Sequence, residues 1–147
     1  MRAMDSEKIK KVILYIIANL GGRLSSRTKL VKLLYFIDLR AKQQLGRKIT
    51  DIGYIYHYYG PYSPSIINAV HELEEEGIIV EEYDPFYGVY RYFLVSDSNV
   101  NLDLEPNEKE IIDEILNQYG SKTAKELKEL AYEELHKEGK QPGEIVL

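Results

Sequence analysis

Val70-His71-Glu72-Leu73-Glu74-Glu75-Glu76-Gly77-Ile78-Ile79 reads as the end of an amphipathic helix that runs directly into a β-strand. Ile66, Ile67, Val70 and Leu73 recur at helical spacing, and Gly77 closes the helix. Upstream, Gly60-Pro61-Tyr62-Ser63-Pro64 is a rigid turn, with Ser63 placed as N-cap and Pro64 at the first helical position. Downstream, Ile78 to Tyr83, the turn Asp84-Pro85-Phe86-Tyr87-Gly88 and Val89 to Val95 predict a β-hairpin with a five-residue loop.

Further out, residues 6–20 carry Ile9, Val12, Ile13, Ile16, Ile17 and Leu20 on one helical face, ended by Gly21-Gly22. Ser25 or Ser26 caps the next helix, which runs to Gly46 and is apolar around most of its girth, so it is central. Its most polar stripe is Lys29, Lys32, Arg40 and Gln43. From Ile49 to Tyr59 the period changes to two, predicting a strand covered on both faces. Ser96 to Asp103 reads as a connection, and Pro106 opens a helix that ends at Gly120. Thr123-x-x-Glu126 is a capping box for a last helix, and residues 139–147 read as a tail. Helix, short Arg23-Leu24-Ser25 segment, helix, helix and hairpin is the order of a winged helix-turn-helix. The expected fold is therefore α+β and helix-rich: a winged-helix-like core over residues 1–97 with an inserted strand, and a C-terminal helical hairpin over 104–138. The two parts form one compact domain.

The chain has 147 residues, 44% of them hydrophobic and 29% charged, which excludes a disordered chain or a fibre. Without cysteine there is no disulfide framework, thiolate metal site or thiol nucleophile. The longest apolar run, Val12 to Leu20, falls far short of the ~20 residues of a membrane span, and no export signal precedes it. A cytoplasmic protein is expected. The net charge of −5 is divided: residues 1–50 carry 12 Lys and Arg against 3 Asp and Glu, and the remainder carries 7 against 21. Such asymmetry reads as a basic face for a polyanion, as complementarity between protomers or partners, or as solvated helices beside a solvated acidic tail.

Three blocks carry a family resemblance: Lys29-Leu30-Val31-Lys32-Leu33-Leu34-Tyr35-Phe36-Ile37-Asp38, Gly46-Arg47-Lys48-Ile49-Thr50, and Tyr59-Gly60-Pro61-Tyr62-Ser63-Pro64. Together with Tyr119 to Ala131, they resemble the SocA-like or Panacea antitoxin domain, over roughly residues 26–135. The middle block is also similar to the YwgA-type proteins. Where the SocA-like family usually has a histidine shortly after Glu-Leu-x-x-Leu-Ala, this chain has Tyr132. The resemblance implies toxin neutralisation and, through the winged helix, transcription control.

Five tyrosines fall between Tyr54 and Tyr62, a composition suited to an interface or to a wet-edged core strand. Tyr59, Gly60, Pro61 and Tyr62 are the candidate partner-binding residues, with the two rings held outward by the turn. Arg23, Arg27, Lys29, Lys32, Arg40, Arg47 and Lys48 are the candidate phosphate-tracking stripe. Against DNA reading, residues 64–76 lack Lys and Arg, and Asn68 alone suits base readout there. His57, His71 and His136 are far apart, and His71 is expected to pair with Glu75 rather than hold zinc. Asp38 either pairs with Arg40 or Lys42 or caps nearby backbone. No nucleophile–base pair, phosphate loop or dinucleotide fingerprint occurs, so no cofactor and no catalysis are expected. The leading expectation is a non-enzymatic antitoxin-type module engaging a partner protein, such as a toxin. The alternative is a winged-helix regulator binding duplex DNA, and a homodimer suits either.

Overall fold

The computed structural model describes residues 2–57, 60–95 and 103–147, with side chains from residue 7 onward. Tyr58, Tyr59 and nearly all of the expected 96–103 connection lie outside the described residues. The fold is mixed α and β, with five helices and two small antiparallel sheets among the described residues. Helix α1 spans Arg2–Asn19, β1 Arg23–Leu24, α2 Arg27–Leu45, β2 Ile55–His57, β3 Gly60–Tyr62 and α3 Pro64–Glu75. The hairpin strands are β4 Ile79–Asp84 and β5 Val89–Leu94, followed by α4 Pro106–Tyr119 and α5 Ala124–Lys137.

The helix ends fall where the capping chemistry places them. Ser26 accepts the Lys29 N–H at the start of α2, and Gly46 ends it in the left-handed region at φ 75°. Ser63 accepts the Ser65 N–H, Pro64 follows at the first position of α3, and Thr123 and Glu126 form the capping box of α5. Glu105 and Glu108 make a further capping box at α4. Residues Leu30 through Asp38 are all buried, so α2 is the central helix, packed by α4, α5 and β3. Helix α1 lies on α3 and β5, and its Val12, Ile13, Ile16 and Ile17 are fully buried.

Arg23 and Leu24 form a true strand. They lie opposite Phe93 and Tyr92, which gives one sheet the order β1-β5-β4. The loop between β4 and β5 is one residue shorter than expected, because Asp84 pairs with Val89.

Two expectations need correction. Among the described residues, the strand expected over Ile49–Tyr59 is regular only over Ile55–His57, which pairs antiparallel with β3, Ile55 opposite Tyr62. Ile52 and Tyr54 do point inward, but the Ile49 and Thr50 N–H groups are taken by the Asp38 carboxylate instead of a neighbouring strand. Nor is β2 covered on both faces, since Ile55 and His57 are exposed. The segment 139–147 also packs, contrary to a free tail. Its end returns along β2, where the Val146 N–H donates to the Tyr54 carbonyl and the Tyr56 N–H to the Glu144 carbonyl. Val146 is buried as a result. The reason is physical: β2 has a second edge whose backbone groups need partners, and the returning chain supplies them.

Candidate functional site

Asp38 decides how the segment after α2 is held. Its Oδ1 accepts the Ile49 N–H at 2.9 Å and the Thr50 N–H at 3.0 Å, while Oδ2 accepts the Thr50 hydroxyl and the Tyr54 hydroxyl, the latter at 2.8 Å. Burial pushes this carboxyl upward, opposed by those four donors. Of the roles open to Asp38, the structure therefore selects backbone capping over pairing with Arg40 or Lys42.

Six residues earlier on the same helix, Lys32 is 2% exposed and sits against β3. Its Nζ donates to the Pro61 carbonyl at 3.1 Å, with no carboxylate within 4 Å among the described residues. Burial, helped by the charge of Lys128, lowers its pKa to about 8. Gly60 is required here on two counts. Its φ is +99°, and a Cβ would come 3.2 Å from the Lys32 Cε. One turn along from Lys32 lies Tyr35, whose buried hydroxyl has no hydrogen-bond partner among the described residues. Burial raises its pKa, as do the charges of Glu138 and Glu134.

The four candidate partner-binding residues therefore separate. Gly60 and Pro61 are buried under α2 and α5, and Tyr62 is half-buried with its ring 5.3 Å from that of His57. Tyr59 lies outside the described residues. Among the described residues, the most exposed aromatic side chains are on the hairpin: Tyr83 is 55% exposed, Phe86 85% and Tyr87 67%, with Tyr90 beside them. Tyr83 and Tyr90 face each other across the strands with ring centres 5.0 Å apart, and the Phe86 and Tyr87 rings meet at 4.9 Å. Arg27 stands over the Tyr90 and Tyr92 rings, and Arg91 over Tyr87. The sequence reads Phe86 and Tyr87 as turn residues and Tyr83 and Tyr90 as strand residues. The available signal was Phe86-Tyr87 at a hairpin tip, where no core can cover them.

Most of the seven basic candidates are engaged within the fold. Lys32 is buried. Arg27 donates to the Tyr92 hydroxyl and to Glu81 at 2.8 Å, and Arg40 to Glu114 at 3.2 Å and Gln118 at 2.9 Å. Arg47 reaches Glu108 and Glu105, while Lys48 donates to the Ile52 and Leu147 carbonyls. Lys29 donates to the Gly120 carbonyl, and Arg23 is exposed. Much of the charge division is thus resolved inside the fold. Lys8 adds a bidentate bond to the buried Glu108, and Lys10 lies 3.0 Å from Glu76. Although burial alone would raise it, Lys8, the Glu105 N–H and Arg47 hold the Glu108 carboxyl below its ordinary range.

Asn68 is exposed on α3, and His71 lies 3.9 Å from Glu74, not beside Glu75 as expected. Among the described residues no group of His, Asp and Glu side chains is placed to hold a metal ion, and no helix is long and apolar enough to cross a membrane.

This arrangement, a central helix carrying a buried lysine against a Gly-Pro turn and a C-terminal helix pair closing over it, defines a small mixed α and β domain. The sequence model of the family described as antitoxin SocA-like, Panacea domain, matches residues 30–136. The chain belongs to that family. No curated protein and no solved structure matches it.

Proposed function

We propose that the chain is a non-enzymatic antitoxin-type module that neutralises a partner protein in the cytoplasm by binding it through the β4–β5 hairpin. Family membership supports a role of the toxin–antitoxin kind. The observation that carries the contact surface is the set of exposed rings at Tyr83, Phe86, Tyr87 and Tyr90. Large aromatics lose little entropy on docking and dominate interface hot spots. Tyr62, half-exposed beside His57, is a second contact, and the Tyr59-Gly60-Pro61-Tyr62 turn acts there mainly by shaping the surface. Co-production with the product of any gene adjoining its own tests this reading, scored by growth and by co-purification. Phe86→Ala/Tyr87→Ala should lose capture and growth rescue while melting with the parent. Full capture by that double variant would remove the hairpin from the interface.

A second reading, that of a winged helix with β4 and β5 as the wing, is supported by the strand order β1-β5-β4. On that reading the chain regulates transcription by binding duplex DNA. Its phosphate contacts then fall to Arg23 and the outer lysines rather than to Arg27, Lys32 or Arg40. Gel-shift titration against its own upstream region at low salt checks it, since phosphate contacts would give a steep salt dependence. Absence of a shift at micromolar protein rejects it.

A further inference from the structure

A pocket of about 320 Å³ opens between the end of α1, β1, the start of α2 and β5, lined by Leu20, Arg23, Leu24, Ser25, Lys29, Arg91, Phe93 and Gly120. Several cations elsewhere in the fold are closely compensated. Lys8, Lys10, Arg27, Arg40 and Arg47 each lie within 3.2 Å of a carboxylate. Three cations line the pocket, and two of them, Arg23 and Lys29, have no carboxylate partner among the described residues. Of the three, Arg91 is shared with Asp84 at 3.1 Å, and Lys29 spends one donor on the Gly120 carbonyl at the end of α4. Arg23 has no partner among the described residues, and Lys29 keeps two donors uncommitted there.

Burial lowers the Lys29 pKa, and an anion beside its ammonium would replace part of the hydration that burial removes. The remaining lining is apolar: Leu24 is fully buried, and Leu20 and Phe93 are half-buried. A guanidinium fork, an ammonium and the Ser25 hydroxyl match the several oxygens and roughly double charge of a phosphate monoester. Leucines and a phenylalanine match a planar organic group beside it, and the volume lies at the lower end for small-ligand sites.

We propose that this pocket binds a phosphate monoester bearing a planar ring system, the chemistry of a nucleoside monophosphate, with Arg23, Lys29 and Ser25 on the phosphate and Leu20, Leu24 and Phe93 under the ring. The pocket lies apart from the exposed rings of the hairpin, so the proposal stands independently of the partner-binding role.

Calorimetric titration of the full chain in phosphate-free buffer, with adenosine 5′-monophosphate, adenosine and inorganic phosphate as probes, tests the proposal. The monophosphate should bind saturably, with adenosine and inorganic phosphate each weaker by about tenfold or more. Arg23→Glu, at an exposed position, should abolish the binding while leaving the unliganded melting temperature unchanged. Lys29→Gln should weaken it, whereas Lys125→Glu on α5 should not. No saturable binding of the monophosphate at millimolar concentration, or equal binding of adenosine, overturns the phosphate assignment. So does undiminished binding by Arg23→Glu. Inorganic phosphate binding as tightly as the nucleotide overturns the ring assignment.

Discussion

Helix α2 buries one acid and one base six residues apart, and the protein treats them oppositely. Asp38 is met by two backbone N–H groups and two hydroxyls, whereas Lys32 is met by one carbonyl and faces the charge of Lys128. Both grip the same inserted segment, Asp38 at its entry through Ile49, Thr50 and Tyr54, and Lys32 at its exit through Pro61. A buried charge stabilises only when its lost hydration is replaced. The entry is therefore a rigid staple, and the exit is a contact whose strength depends on protonation.

The largest effect should come from removing the staple. Asp38→Ala leaves two N–H groups and two hydroxyls buried without their acceptor and should destabilise by about 3–5 kcal/mol in urea denaturation. A loss below about 1 kcal/mol would erase the contrast with Lys32.

The exit should respond to pH. The folded pKa of Lys32 is about 8, below the unfolded 10.5, so between those values the unfolded chain binds more protons. Stability should rise with pH across that window by at most roughly 3 kcal/mol, with the penalty fully present below pH 8. Lys32→Met should flatten that rise relative to the parent in paired melts, and parallel profiles would show that the lysine titrates normally.

Tyr54→Phe removes one of the four donors to Asp38 and should reduce stability by about 1–2 kcal/mol. Smallest is Arg40→Gln, which breaks a partly exposed pair with Glu114. It should shift stability by roughly 0–1 kcal/mol, and added salt should shrink even that.

The helices were legible because their signals are local: Ser26, Gly46, Ser63-Pro64 and Thr123 act on backbone a few residues away. The family, too, was legible, through the blocks around Lys29–Asp38 and Tyr59–Pro64. The burial of Lys32 was not, because a lysine on a helical stripe with Lys29 and Arg40 looks solvated until α5 and the Pro61 turn close over it. The strand was overextended because alternating Ile52, Tyr54 and Tyr56 give the same period whether the backbone bonds a strand or a carboxylate. The returning 139–147 segment was missed because its cause is the open edge of β2, roughly ninety residues away in the chain. Charge division pointed outward to partners, yet Glu108, Glu114 and Glu81 answer much of it internally.

The bond between Lys8 and Glu108 joins residues 100 positions apart. Synthesis delivers the chain from its first residue at roughly 5–20 residues per second, so α1 waits on the order of 5–20 s for that carboxylate. Throughout that interval Ile111, Ile112 and Ile115, which complete the core on the α4 side, are also missing. The nascent chain thus displays an incompletely covered apolar stripe beside uncompensated positive charge, and only the late arrival of α4 removes both. Production of this protein should accordingly be sensitive to whatever shields young chains at the ribosome, far more than the stability of the finished fold would suggest.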